Sequence, residues 1–190
     1  MSLSFLPSAH LHARGAMEAG AKALWLMQPT DAFEREGRWL VHLEKEVEIR
    51  TQLSKESGSN AGGSATVGEF VAAVRSRLPS DTPVPKSFPN FKQLLESVGV
   101  PEKYIAYRFL SQTTHATHYG TGLFRQHLGS RKEFGEFAEA VDWWLPLSVQ
   151  WWFLAKPAET IAVSSGLGEL RLPDGLSQRF IKAQQSLARA

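Results

Sequence analysis

Apolar residues recur every three or four positions along most of this chain and almost nowhere alternate, which is the period of α-helices and not of strands. Leu11, Ala16, Ala19, Ala23, Leu24 and Met27 predict a first helix from about residue 8, stopped by Pro29. Asp31, followed three residues later by Glu34, has the form of a capping box and opens a long helix through Trp39, Leu40, Leu43, Val47 and Leu53, with charges on its outer face. Thr66 and Glu69 repeat that pattern ahead of a short helix over 67–78. Asn90 predicts the cap of another short helix, through Leu94 and Leu95, that ends at Gly99. Pro101 then suits the first turn of a helix expected to reach Gly120. Beyond it the pattern predicts a loop over 121–130, a long helix from about Arg131 and a break around Gly166 and Gly168. A last amphipathic helix starts near Asp174, with Leu176, Phe180, Ile181 and Leu187 on its apolar side.

Two segments interrupt the periodicity. Residues of about 57–66, rich in Gly, Ser and Asn, read as a flexible loop. Those of about 79–89 hold four prolines and read as an extended connector. The most apolar stretch, Val141 to Ala155, carries Trp143, Trp144, Trp151, Trp152 and Phe153. It is too short to cross a bilayer, which takes about 20 apolar residues, and Asp142, Ser148 and Gln150 interrupt it. It is expected to be a central core helix, broken or kinked at Pro146, with its tryptophans as core or dimer contacts. With no alternating strands, internal repeats or heptads in view, the chain reads as all-α: one domain over 1–190, an irregular antiparallel bundle of about seven helices.

Composition narrows the function little. The hydrophobic share is 43% and the charged share 21%, an ordinary globular profile. A net charge of +2 is not that of a strongly basic nucleic-acid binder. Zero cysteines exclude disulfides, thiolate metal sites and a Cys nucleophile, and fit a reducing cytoplasm. The first residues lack the basic and apolar regions of an export signal, so a cytoplasmic location is expected.

The candidate chemistry lies in Tyr107-Arg108-Phe109-Leu110-Ser111-Gln112-Thr113-Thr114-His115-Ala116-Thr117-His118. At about 100° per residue, the seven steps from Arg108 to His115 make nearly two turns, so both face one way with Ser111 between them. No carboxylate occurs from Lys103 to Arg131, unlike an ordinary solvated helix with alternating Glu and Lys. Three chemistries are open to such a cluster. A metal site has His115 and His118 at a three-residue spacing but no acid beside them, and His10 and His12, two residues apart, face different ways. A Ser111 nucleophile has His115 one turn on, with no visible third member or oxyanion hole. Phosphodiester chemistry needs an imidazole to move a proton and a guanidinium to grip phosphate, and requires no metal or other cofactor.

An Arg, six intervening residues and a His on a late helix resembles the signature of HEPN domains, the "higher eukaryotes and prokaryotes nucleotide-binding" helical superfamily. Arg14 and Glu18, four apart before Trp25-Leu26, are similar to the first helix of bacterial proteins of unknown function in or near that group. The resemblance spans about residues 10–125. It implies a homodimer that cleaves RNA without metal where two Arg and His pairs meet. Arg108 would hold the scissile phosphate and His115 would move the proton, with Ser111, His118, Tyr107, Glu18 and Arg14 in supporting places. The chain departs at Phe109, where active members carry Asn, Asp or His. The alternative is a non-catalytic interaction or regulatory module in which Arg108 pairs with Glu18, and His115 and Ser111 satisfy buried polar groups. Arg125, Arg131 and Lys132 are further candidates for backbone contacts to nucleic acid.

Overall fold

The computed structural model describes residues 6–58, 64–115, 140–168 and 176–187. The protein is all-α. Among the described residues the helices are α1 (Leu6–Met27), α2 (Ala32–Ser57), α3 (Ser64–Arg75), α4 (Phe91–Ser97), α5 (Lys103–Thr114), α6 (Trp144–Ser164), which follows a 3-10 turn over Ala140–Trp143, and α7 (Leu176–Leu187). The chain divides into two compact units, Met1–Leu24 with Leu95–Ala190, and Trp25–Leu94.

The first unit is organised on α1. Its buried stripe is His10, Ala13, Met17, Gly20, Ala21 and Leu24, stepping by three and four, against a core that includes Leu110 of α5 and Val149, Phe153 and Ala162 of α6. This corrects the expected face, because Leu11 and Ala19 are exposed and Ala16 and Ala23 only half-buried. Alanine and glycine lie all round α1, so its apolar pattern carries little contrast. Gly20 is where α1 meets α6: a β-carbon there would overlap the Phe153 carbonyl oxygen and lie 3.0 Å from the Phe153 β-carbon. Pro157, buried inside α6, has no N–H to give that same carbonyl four residues back, so the helix leaves it to the close approach of α1.

Pro146 occupies the first turn of α6, where no N–H is required, so it marks the break from the 3-10 turn and does not kink the helix. The tryptophans, expected as core or dimer contacts, lie at the margin of the core, Trp152 edge-on to Phe153 at 4.6 Å. Trp143, Trp151 and Trp152 are half-buried and Trp144 is exposed, whereas Pro146, Val149, Phe153 and Pro157 form the buried side. Gly166, at φ 70°, ends α6: its N–H donates to Val163 O at 3.1 Å and that of Leu167 to Ala162 O at 3.0 Å.

In the second unit α2 and α3 pack together, joined at the surface by Arg75 Nη2 and Glu44 Oε1 at 2.6 Å, over Leu40, Val41 and Val71. The Asp31 carboxylate accepts from the Glu34 N–H at 2.8 Å as expected, but the Glu34 carboxylate takes Arg38 at 3.0 Å and does not return to the cap. Arg38 also donates to Trp25 O in the last turn of α1, and Arg35 to Pro29 O and Thr30 O just beyond it. Gly58, at φ 64°, terminates α2, and α3 starts at Ser64, so Thr66 lies inside that helix and does not cap it. The expected 57–66 loop narrows accordingly, and 59–63 lie outside the described residues. The proline connector is irregular as expected and crosses α2 at Gly37, where a β-carbon would lie 2.9 Å from Val84. Phe88 packs on Trp25 and His42 at ring distances of 5.3 and 5.2 Å. The fully reciprocal capping box is Asn90 with Gln93, each N–H donating to the other's side chain, at 2.9 and 3.0 Å. Gly99, at φ 79°, closes α4 through Val100 N–H to Leu95 O at 2.9 Å.

Candidate functional site

A turn at Pro101 and Glu102 feeds α5, the Tyr104 N–H donating to Pro101 O at 3.1 Å. Leu110 is fully buried and fixes the inner face. The outer face then falls to Ile105, Arg108, Gln112 and His115, within about 80° of arc at the helical period. Ile105 is 77% exposed, and Arg108 and His115 are exposed. The described part of α5 ends at Thr114, with His115 as its terminal cap and the His115 N–H donating to Ser111 O at 3.0 Å. Its φ of −89° and ψ of 9° stay close enough to helical to keep its side chain in line with Arg108. Among the described residues no ion pair or hydrogen bond occupies either side chain.

The pairing of Arg108 with Glu18 does not occur. Glu18 Oε1 instead accepts from Arg14 Nε at 3.0 Å and from the Tyr107 hydroxyl at 3.1 Å, while Arg14 Nη2 donates to that hydroxyl at 3.2 Å. The Arg14 guanidinium also lies 5.2 Å from the centre of the Tyr107 ring. Burial alone would lower the Arg14 pKa, and the hydrogen bonds and charge of Glu18 and Tyr107 outweigh it and hold the group above its ordinary value. Arg14, Glu18 and Tyr107 thus tie α1 to α5 on the flank next to Arg108, because Tyr107 and Arg108 are adjacent. Tyr104 stacks on Tyr107 at 6.0 Å.

Ser111 is not poised as a nucleophile. Its hydroxyl donates to Tyr107 O at 2.7 Å, back along its own helix, so its proton is committed away from His115. Phe109 turns toward α1 and presents itself edge-on to His10 at 6.1 Å. His118, Arg125, Arg131, Lys132 and the expected run of the helix to Gly120 lie outside the described residues.

His10 is the functional-looking group that sequence reasoning passed over except as a metal ligand. It is 2% exposed, and its Nδ1 lies 2.9 Å from Thr113 Oγ1 in the last turn of α5. Burial lowers its pKa, partly offset by the negative charge of Asp142 in the 3-10 turn. His12 is exposed, so the two histidines of α1 do face different ways. No sequence signal pairs His10 with a threonine 103 residues away. Among the described residues no three His, Asp or Glu side chains gather at metal-binding distance, and no helix is long and apolar enough to cross a membrane. A cavity of about 270 Å³ between α2 and α3, lined by Glu44, Val47, Gly68, Val71, Ala72 and Arg75, includes none of the cluster.

Comparison of the chain with protein-family models, with curated proteins and with solved structures gives no match.

Proposed function

We propose that this protein is a HEPN-like, metal-independent endoribonuclease acting on single-stranded RNA, with Arg108 and His115 as its reacting pair. The observation that carries the reading is that both side chains stand exposed on one stripe of α5 with no described carboxylate claiming either. A guanidinium in that condition is available to a phosphate, and an imidazole on the same stripe is a group that can accept and donate a proton. His115 takes the proton of a ribose 2′-hydroxyl, and the 2′-oxygen forms a bond to phosphorus. The bond from phosphorus to the 5′-oxygen breaks, and that oxygen leaves with a proton from the imidazolium or water. The products are a 2′,3′-cyclic phosphate and a 5′-hydroxyl. Arg108 neutralises the charge that grows on the phosphoryl oxygens. The Arg14, Glu18 and Tyr107 network holds α5 in place and touches neither reacting group. The resemblance brings with it a homodimer and a cytoplasmic setting as parts of the same proposal.

The test is cleavage of labelled single-stranded RNA in EDTA by the wild type, Arg108→Ala and His115→Ala, with product ends analysed. Cleavage to cyclic-phosphate ends, lost in both variants while circular dichroism is unchanged, is the expected result. RNA left intact by the wild type overturns the catalytic reading. Binding that survives in the wild type and weakens in Arg108→Ala would then leave a phosphate-binding module.

A further inference from the structure

One more residue of α5 shares the stripe that carries Arg108 and His115. Tyr104 precedes Arg108 by four residues, which places it about 40° round the helix and about 6 Å nearer its N-terminal end. Tyr104, Arg108, Ser111 and His115 thus follow one another by four, three and four residues, within about 60° of arc. Tyr104 and Ser111 are half-buried, and Arg108 and His115 exposed. Glu102, the carboxylate nearest in sequence, falls about 160° round the helix from Tyr104 and pairs with Lys103 at 3.9 Å. The Tyr104 ring lies 21° from parallel to that of Tyr107, at 6.0 Å, and Tyr107 is in turn held by the Glu18 carboxylate and the Arg14 guanidinium. No hydrogen bond, ion pair or further ring contact engages the Tyr104 side chain among the described residues. The ring is steadied by one anchored neighbour and committed to no other.

We propose that Tyr104 is a nucleobase-stacking subsite, and that it takes the base of the nucleotide on the 3′ side of the bond that is cut. The inference rests on the reading in which Arg108 holds the phosphate and His115 serves the 2′-hydroxyl, and adds to it a contact with a base. An aromatic ring one turn from a guanidinium suits single-stranded nucleic acid, because a base stacks on the ring while the cation takes the backbone. One helical turn is within the reach of a single nucleotide, so its base can lie on Tyr104 and its own 5′-phosphate on Arg108. Order along the stripe sets the polarity. His115 lies on the C-terminal side of Arg108 and serves the 2′-hydroxyl 5′ of the scissile phosphate. Tyr104 lies on the N-terminal side, toward which the departing nucleotide extends. The strand therefore runs 5′ to 3′ from the C-terminal to the N-terminal end of α5. Stacking by itself tolerates any base, because every base has a π-face. A protein docking patch needs a contiguous apolar centre, and this stripe offers a single aromatic ring followed by a cation, a hydroxyl and an imidazole.

The test uses a short 2′-O-methyl oligonucleotide with one unmodified ribonucleotide, which confines cleavage to one bond, and an abasic site placed directly 3′ or directly 5′ of it. Cleavage is followed in EDTA, and affinity by fluorescence anisotropy on the fully methylated strands. The wild type should bind and cleave the 3′-abasic strand about 5- to 150-fold more weakly than the intact one, and the 5′-abasic strand with a smaller loss. Tyr104→Ala should show that same loss on the intact strand and no further loss at the 3′-abasic site, an indifference that mere loosening of α5 does not produce. Tyr104→Phe, which keeps the ring, should recover the loss. Equal sensitivity of wild type and Tyr104→Ala to the 3′-abasic site, or greater sensitivity of the wild type at the 5′ site, overturns the subsite, and cleavage by the wild type then leaves the ribonuclease reading standing. A wild type that binds none of the strands overturns both. A wild type that cleaves nothing, yet loses affinity in Tyr104→Ala and on abasic strands, keeps the stacking ring and sinks the ribonuclease together with the polarity.

Discussion

His10 and Arg108 represent opposite fates of a basic side chain. Arg108, charged and paired with nothing described, stands in solvent, whereas His10 is sealed between α1, α5 and the 3-10 turn and is held neutral by burial. The consequence for His10 is a dependence of stability on pH with a definite sign. Its pKa in the folded chain is lowered from 6.5, so below about pH 6.5 the unfolded chain binds a proton that the folded chain does not. Stability on that account is complete above pH 6.5 and falls as the pH drops toward the lowered value. Urea unfolding at pH 7.5 and pH 5 should show the wild type losing more stability than His10→Gln, which keeps a polar group for Thr113 but no titration. Parallel losses in the two proteins would show that His10 contributes nothing to the slope. Both fates were beyond the sequence for one reason. Exposure of a side chain depends on which other element covers it, and the periodicity of its own helix sets only the face it shares.

At the scale of elements, the ends of helices were far more legible than their faces. Asp31, Asn90, Gly58, Gly99 and Gly166 act within three or four residues of themselves, through side-chain caps or a left-handed backbone, and all mark helix ends in the structure. The Thr66 cap fails because the helix had already begun at Ser64. Faces were harder where small residues run round the helix, as on α1. Two glycines of α1 separate the local from the tertiary contribution. A β-carbon at Gly15 meets nothing within 4 Å, so Gly15→Ala should stabilise by about 0.5–1 kcal/mol through helix propensity alone. Gly20→Ala has the same propensity gain but drives a methyl into the Phe153 carbonyl, and should lose about 1–3 kcal/mol as α1 and α6 are pushed apart. Thermal or urea unfolding of the two variants checks both signs. Equal effects would mean that the close approach is relaxed at no cost.

For the whole molecule, the homodimer that belongs to the proposed function would make stability a property of two chains. If two copies associate, the melting temperature of the wild type rises with protein concentration. Calorimetry over a hundredfold concentration range decides this, and a wild-type melting point independent of concentration would contradict it. The sequence by itself determined that the chain is helical and where most helices stop, because helical period, caps, prolines and glycines act over a single turn. It also determined that Arg108 and His115 share a face, because seven residues make nearly two turns whatever surrounds them. Tertiary structure alone decided that Glu18, already four residues from Arg14, also takes the Tyr107 hydroxyl and not Arg108, that His10 meets Thr113, and that Trp144 is exposed while Trp151 and Trp152 are half-buried. Those outcomes depend on groups up to 103 residues apart arriving at one place. Packing of the whole chain selects them, and no local pattern encodes them.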